Sequence, residues 1–190
     1  MKKQNSTAKT VIGLVILAVA VLVIFILAIN TPDKNADTVK ITAATKQLTK
    51  NYAKDYPATP KAVVTEYAEI TKCFYDPETN EDQITGLATQ MRQLFDDELV
   101  ANQSFDDFLT SLRSEIAIYR SEEKLISSYS VSSSTDVKQE TNEYGTLATL
   151  YLTLNVRDDG AINKIKEQFL LRQDKDRHWK IVGWVLADQE

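Results

Sequence analysis

One histidine, His178, and one cysteine, Cys73, are the chain's whole stock of the side chains most used for proton shuttling, thiolate attack and zinc ligation. They stand about a hundred residues apart, and no further His or Cys exists to complete a ligand set around either. His178 lies between Arg177 and Lys180 in a polar stretch, which reads as the exposed edge of a hairpin rather than as a general base. No Ser-His-Asp set can be built without it. The sequence also lacks a Gly-x-Ser-x-Gly elbow, and its five glycines form no phosphate-cradling loop.

The acidic runs are weaker still as chemistry. Asp96-Asp97-Glu98 looks like clustered carboxylates, but neighbours on a helix point about 100° apart and cannot converge on one atom. A solvated helical face is the expectation. Asp106-Asp107 matches the positive end of a helix that begins just before it. Cys73 sits among apolar residues and reads as a small buried hydrophobe. The serine-rich stretch Ser127 to Thr135 reads as a hydroxyl-lined strand. Eight tyrosines and two tryptophans remain. Of these, Tyr67, Tyr75, Tyr119, Tyr129, Tyr151 and Trp184 are the candidates to line a ligand-binding mouth. No catalytic, cofactor-binding or metal-binding residue is assigned. No cofactor is expected, and neither is an enzyme.

The elements that must position these residues begin with an oily run. Val11 to Ile29 holds no charge, and fifteen of its nineteen residues are Val, Ile, Leu or Phe. At about 1.5 Å per residue a helix of that length spans roughly the 30 Å hydrocarbon core of a bilayer. Lys2, Lys3 and Lys9 precede the run, so the positive-inside rule predicts a cytoplasmic tail over residues 1–10 and an anchor over 11–29. The bilayer is thus an expected partner. A cleaved signal peptide fits less well, because the run is long and no small-x-small site follows it. Beyond the anchor, 19 Lys and Arg face 27 Asp and Glu, a net −8 that argues against nucleic acid. A single cysteine excludes an internal disulfide. The domain must therefore fold by core burial alone.

Residues 30–56 read as a juxtamembrane linker, with Ala44, Leu48 and Tyr52 suggesting a short helix. The external domain is expected over residues 57–190. Thr59 and Pro60 open its first firm helix, striped by Val63, Tyr67, Ile70 and Phe74. A second helix is predicted from about Asp82 to Ala101, with Ile84, Leu87, Met91, Leu94, Phe95 and Leu99 inward. Gly86 within it implies a close packing contact. Ser104 caps a third helix, whose buried face carries Phe105, Phe108, Leu109, Leu112, Ile116 and Tyr119. After Lys124 the period changes to two. Ala148, Leu150, Leu152, Leu154 and Val156 mark a half-buried strand, and Ile165, Phe169 and Leu171 belong to the next. His178 to Asp188 is apolar on both faces, with Trp179, Ile181 and Val185 on one and Val182, Trp184 and Leu186 on the other. That pattern suggests a central strand. The expected fold is α+β: a transmembrane helix, then three helices packed on a curved four-stranded antiparallel sheet.

Arg177-His178-Trp179-Lys180-Ile181-Val182-Gly183-Trp184 closes the chain in a way that resembles the NTF2-like (cystatin-like) superfamily over residues 57–190. That resemblance implies a cone whose open end can hold a ligand. Tyr56-Pro57-Ala58-Thr59-Pro60, Cys73-Phe74-Tyr75 and Met91 to Leu99 resemble an uncharacterised domain-of-unknown-function family of single-span membrane proteins from Gram-positive anaerobes. The second resemblance implies a location and no activity. Together the readings lead to the expectation of a non-catalytic binding or assembly module at the cell envelope, with another envelope protein as partner. The alternatives are a component of a secretion or conjugation apparatus, or a small-molecule-binding domain.

Overall fold

The computed structural model describes residues 41–187. Five helices come first: α1 (Ala43–Leu48), α2 (Pro60–Phe74), α3 (Glu81–Arg92), α4 (Asp97–Ala101) and α5 (Phe105–Ser121). Five strands follow: β1 (Leu125–Val131), β2 (Lys138–Asn142), β3 (Gly145–Asp158), β4 (Ala161–Gln173) and β5 (Trp179–Leu186). The helix starts obey capping chemistry. Thr59 accepts from the Ala62 N–H, with Pro60 in the first turn, and Asn80 and Gln83 form a reciprocal capping box. Ser104 accepts from Asp107 N–H at 3.1 Å.

All strand pairs are antiparallel, in the order β1-β3-β4-β5, with β2 pairing β3 beyond β1. Along β3 every second residue from Ala148 to Val156 is buried, so one sheet face meets the helices. Helix α2 crosses that face and touches β1, β3 and β5. Val63, Val64, Ile70 and Phe74 of α2 are fully buried against Leu150, Leu152, Phe169, Leu171 and Ile181. Helices α1 and α3 pack on each other and on α2. At Gly86 a Cβ would stand 2.7 Å from Leu48 Cδ2, so any side chain there would force Leu48 of α1 to shift. The packing therefore reaches back into residues 41–56, where Ala44, Gln47 and Tyr52 are buried.

Several expectations are corrected. The sheet has five strands, not four. Strand β2 (KQETN) is exposed throughout, so no apolar alternation announces it. It is held by register alone, through a tight return in which Gly145 takes φ +111°. Among the described residues five helices stand where three and a short linker helix were expected, because the long second helix breaks after Arg92 into α3 and α4. Leu94 to Asp96 leave the helix to pair with β5: Asp96 N–H donates to Ile181 O and Ile181 N–H to Leu94 O, both at 2.8 Å. The last strand is an edge, not a centre. A bulge opposite Leu170 and Leu171 brings Ile181 and Trp184 onto the same inner face, with partners Leu171 and Phe169. Apolar residues at odd and even positions follow from that slip, not from burial on two sides. The expected anchor, Val11 to Ile29, lies outside the described residues. Among those described, no helix is long and apolar enough to cross a membrane.

Candidate functional site

A cavity of about 230 Å³ lies between the helices and the inner sheet face. From α2 come Tyr67, Thr71 and Phe74, with Tyr75 just past the helix end. Met91 and Phe95 close one side. Helix α5 contributes Phe108, Leu112 and Tyr119, and its exposed residues Ser111 and Glu115 form the mouth. The floor is sheet: Ile126, Leu154, Ile165, Glu167 and Trp184. The rings are mutually braced. Tyr67 meets Phe169 edge-on at 5.0 Å, Trp184 stacks on Phe169 at 5.6 Å, and Tyr75 leans on Tyr119 at 4.3 Å.

Glu167 is the chemical exception in this apolar wall. It holds an inward position of β4, between Ile165 and Phe169, and its Oε2 is buried without a hydrogen-bond partner among the described residues. Burial pushes its carboxyl up to about 7, and the negative charge of Glu115 adds to the rise. The carboxyl is therefore divided between two forms at neutral pH, one an O–H donor and the other an anion. Burial also raises Tyr67 and Tyr75, and Tyr75 is raised further by its hydrogen bond to Glu115. Both phenols stay neutral donors over any ordinary pH.

The six sequence candidates divide between this cavity and other places. Tyr67, Tyr75, Tyr119 and Trp184 line it together. Tyr129 lines a separate cleft and donates to Glu69 Oε1 at 3.2 Å. That cleft also holds Gln47 and Cys73, whose thiol burial lifts to about 11. Tyr151 points to the outer sheet face, where Lys166 Nζ stands 4.9 Å over its ring. Sequence reasoning missed Glu167 and Glu115. The strand period carried the signal for Glu167: an acid at the inward parity set by Ile165, Phe169 and Leu171.

His178 and Asp96, singled out by residue type, have structural partners elsewhere. His178 stacks on Tyr56 at 4.4 Å, away from the cavity. Asp96 was expected on a solvated face and is instead buried. Its carboxylate takes two bonds from Arg172, Nη2 to Oδ1 at 2.6 Å and Nε to Oδ2 at 3.1 Å, and a third from Glu98 N–H at 3.0 Å. Burial alone would raise this carboxyl, but the Arg172 bonds, the Glu98 N–H and the nearby positive charges hold it below the ordinary range. Among the described residues no group of three or more His, Cys, Asp or Glu is arranged to hold a metal ion.

Fold and site together define an α+β domain with an aromatic cavity around one unpaired acid. The chain belongs to a family described as a domain of unknown function (DUF6715), whose profile matches residues 1–184. No curated protein matches it.

Proposed function

We propose that this domain binds a small organic molecule in the cavity between α5 and the sheet, without turning it over. The observation that carries the reading is Glu167 Oε2, a buried oxygen without a partner in a ring-lined space. A buried acceptor left unmade costs about 1–3 kcal/mol, so a ligand that satisfies it gains affinity from a group already in place. The volume lies below the roughly 300–1,000 Å³ typical of drug-sized ligands, which favours a single-ring compound. In this reading the domain works at the cell envelope, and that part rests on sequence: the uncharged run 11–29 behind Lys2, Lys3 and Lys9.

Trp184 lines the cavity, so its fluorescence reports entry. A fragment screen on the full-length chain should find single-ring binders that quench it. Ser111→Trp at the mouth should abolish binding of those compounds, followed by ligand-observed NMR because the new indole also fluoresces, with the fold unchanged by circular dichroism. Binders indifferent to Ser111→Trp would overturn the cavity as the site.

A second reading, docking of another envelope protein, has one observation in its favour. The outer side and free end of β5 expose Val185 at 63% and Leu186 at 75%, beside the partly exposed Leu170. Crosslinking from position 185 in intact cells should then trap one specific partner, and capture of nothing but the chain itself would remove this reading.

A further inference from the structure

Resting on the small-molecule reading, we infer that the ligand is a small cationic amine carrying an aromatic or similarly flat apolar body, its ammonium held by Glu167 and its body by the rings around Trp184. Three observations converge on this class. Glu115 and Glu167 are the only Asp, Glu, Lys, Arg or His side chains in the cavity lining, so its formal charge is negative or zero at every pH. A carboxylate ligand would meet repulsion there and no cation to answer it. Next, Glu167 lines the cavity and its Oε2, closed off from solvent in the empty domain, has no donor among the described residues; an ammonium supplies one with charge once the carboxyl turns toward the ligand. Finally, the wall is built of π-faces. Tyr67 lies 5.3 Å and Phe95 5.9 Å from Trp184, ring centre to ring centre, and faces so placed attract a cation more strongly once water is excluded.

The surroundings set how binding responds to pH. Facing Glu167 are Tyr67 from α2, Tyr75 from the end of α2, and Glu115 and Tyr119 from α5. Across the sheet its neighbours are Leu152 on β3 and Leu186 on β5, which do not titrate. The cation near Tyr119 is Lys124, engaged by Glu122 at 2.7 Å and Asp158 at 3.2 Å. Lys166 turns to the outer face, over Tyr151. Glu167 must lose its proton to pair with an ammonium, so proton and amine compete for one oxygen pair. Affinity for the amine rises with pH through the carboxyl's own titration, while a neutral ligand of the same shape lacks that dependence or shows the reverse.

The test uses three probes of one shape: 2-phenylethylamine, 2-phenylethanol and 3-phenylpropanoate. Each is titrated into the full-length chain in lipid nanodiscs, with Trp184 fluorescence and ligand-observed NMR as readouts. The amine should bind about tenfold more tightly than the alcohol at pH 8, the carboxylate should bind least, and the amine's advantage should shrink at pH 5.5. Glu167→Gln is close in shape to the native side chain and should erase the amine's advantage while leaving alcohol binding in place. Equal binding of amine and alcohol, or an advantage that survives Glu167→Gln, overturns the amine assignment and leaves the cavity reading standing. If none of the probes binds, or if all bind with Ser111→Trp in place, the cavity reading falls and the amine assignment with it.

Discussion

Two acids meet β4 on opposite faces, Glu167 at its middle and Asp96 through Arg172 near its C-terminal end, and they have opposite fates. Asp96 meets Arg172, near the end of β4, and receives three hydrogen bonds. Glu167, earlier on the same strand, has an oxygen that receives none. Arg172 and the Glu98 N–H hold the Asp96 carboxyl below its ordinary range, while burial and Glu115 lift that of Glu167 to about 7. Desolvation pushes both carboxyls the same way, so the difference lies in the donors. A structural acid is given partners by the fold. An acid denied them is either a defect or an opening for something else, and its place on a cavity floor favours the second.

The largest expected effect comes from breaking the paired end. Asp96→Ala strips the Arg172 guanidinium of its bidentate partner and removes the cap of α4. A loss of about 2–4 kcal/mol is expected, below the limit for a fully buried pair because Arg172 is partly exposed and keeps Glu98 at 3.0 Å. The melting temperature should fall by about 5–15 °C. The pH sign follows from the lowered carboxyl: its contribution is complete above the ordinary carboxylate range and disappears as pH falls through the folded-state value. A loss under about 0.5 kcal/mol would make Asp96–Arg172 an ordinary surface pair and erase the contrast.

At the unpaired acid the sign reverses. Between about 4.5 and about 7 the folded chain holds a proton on Glu167 that the unfolded chain has released. Stability therefore declines as pH rises through that window, and the penalty is constant above it. Glu167→Gln removes the ionisation, so it should stabilise the empty domain at pH 8 by about 1–3 kcal/mol and change little near pH 4.5. Chemical denaturation at the two pH values checks this. Parallel stability profiles for the two proteins would mean that Glu167 is well solvated and carries no strain.

The contrast also shows which parts of the molecule could be read in advance. Helix starts were legible because caps are local: Thr59-Pro60 and Ser104 act within three residues. Strand β3 was legible because every second residue along its inner face is buried, and β4 because Ile165, Phe169 and Leu171 keep the same inward parity. What stayed hidden depends on distant partners. Strand β2 has no apolar face and exists through its pairing with β3. The break after Arg92 is made by β5, more than eighty residues on, claiming the Leu94 and Asp96 backbone. Apolar periodicity continues through Leu94, Phe95 and Leu99 and conceals it. The bulge that puts Trp184 beside Phe169 shifts parity without leaving a mark in composition. Four of the six aromatic candidates reach the cavity: Tyr67, Tyr75 and Tyr119 on or beside helices α2 and α5, which periodicity announced, and Trp184 through that bulge. Tyr151 takes the outer parity of β3, and Tyr129 faces a different cleft.

The smallest expected effect separates the two causes of the Glu167 shift. Burial is the larger and the charge of Glu115 the smaller. Glu115 is exposed at the mouth, so Glu115→Gln leaves the packing intact and removes only its charge. The Glu167 midpoint, followed by the carboxyl ¹³C shift in an NMR titration, should fall from about 7 by less than about one unit. The hydrogen bond to Tyr75 can pass to the glutamine amide oxygen, so stability should change by no more than about 0.5 kcal/mol. A midpoint that drops to the ordinary carboxylate range would make mutual repulsion, not desolvation, the cause. The two acids would then be a coupled pair open to water, and the desolvation needed to strengthen a cation's hold would be lost with the rest of the contrast.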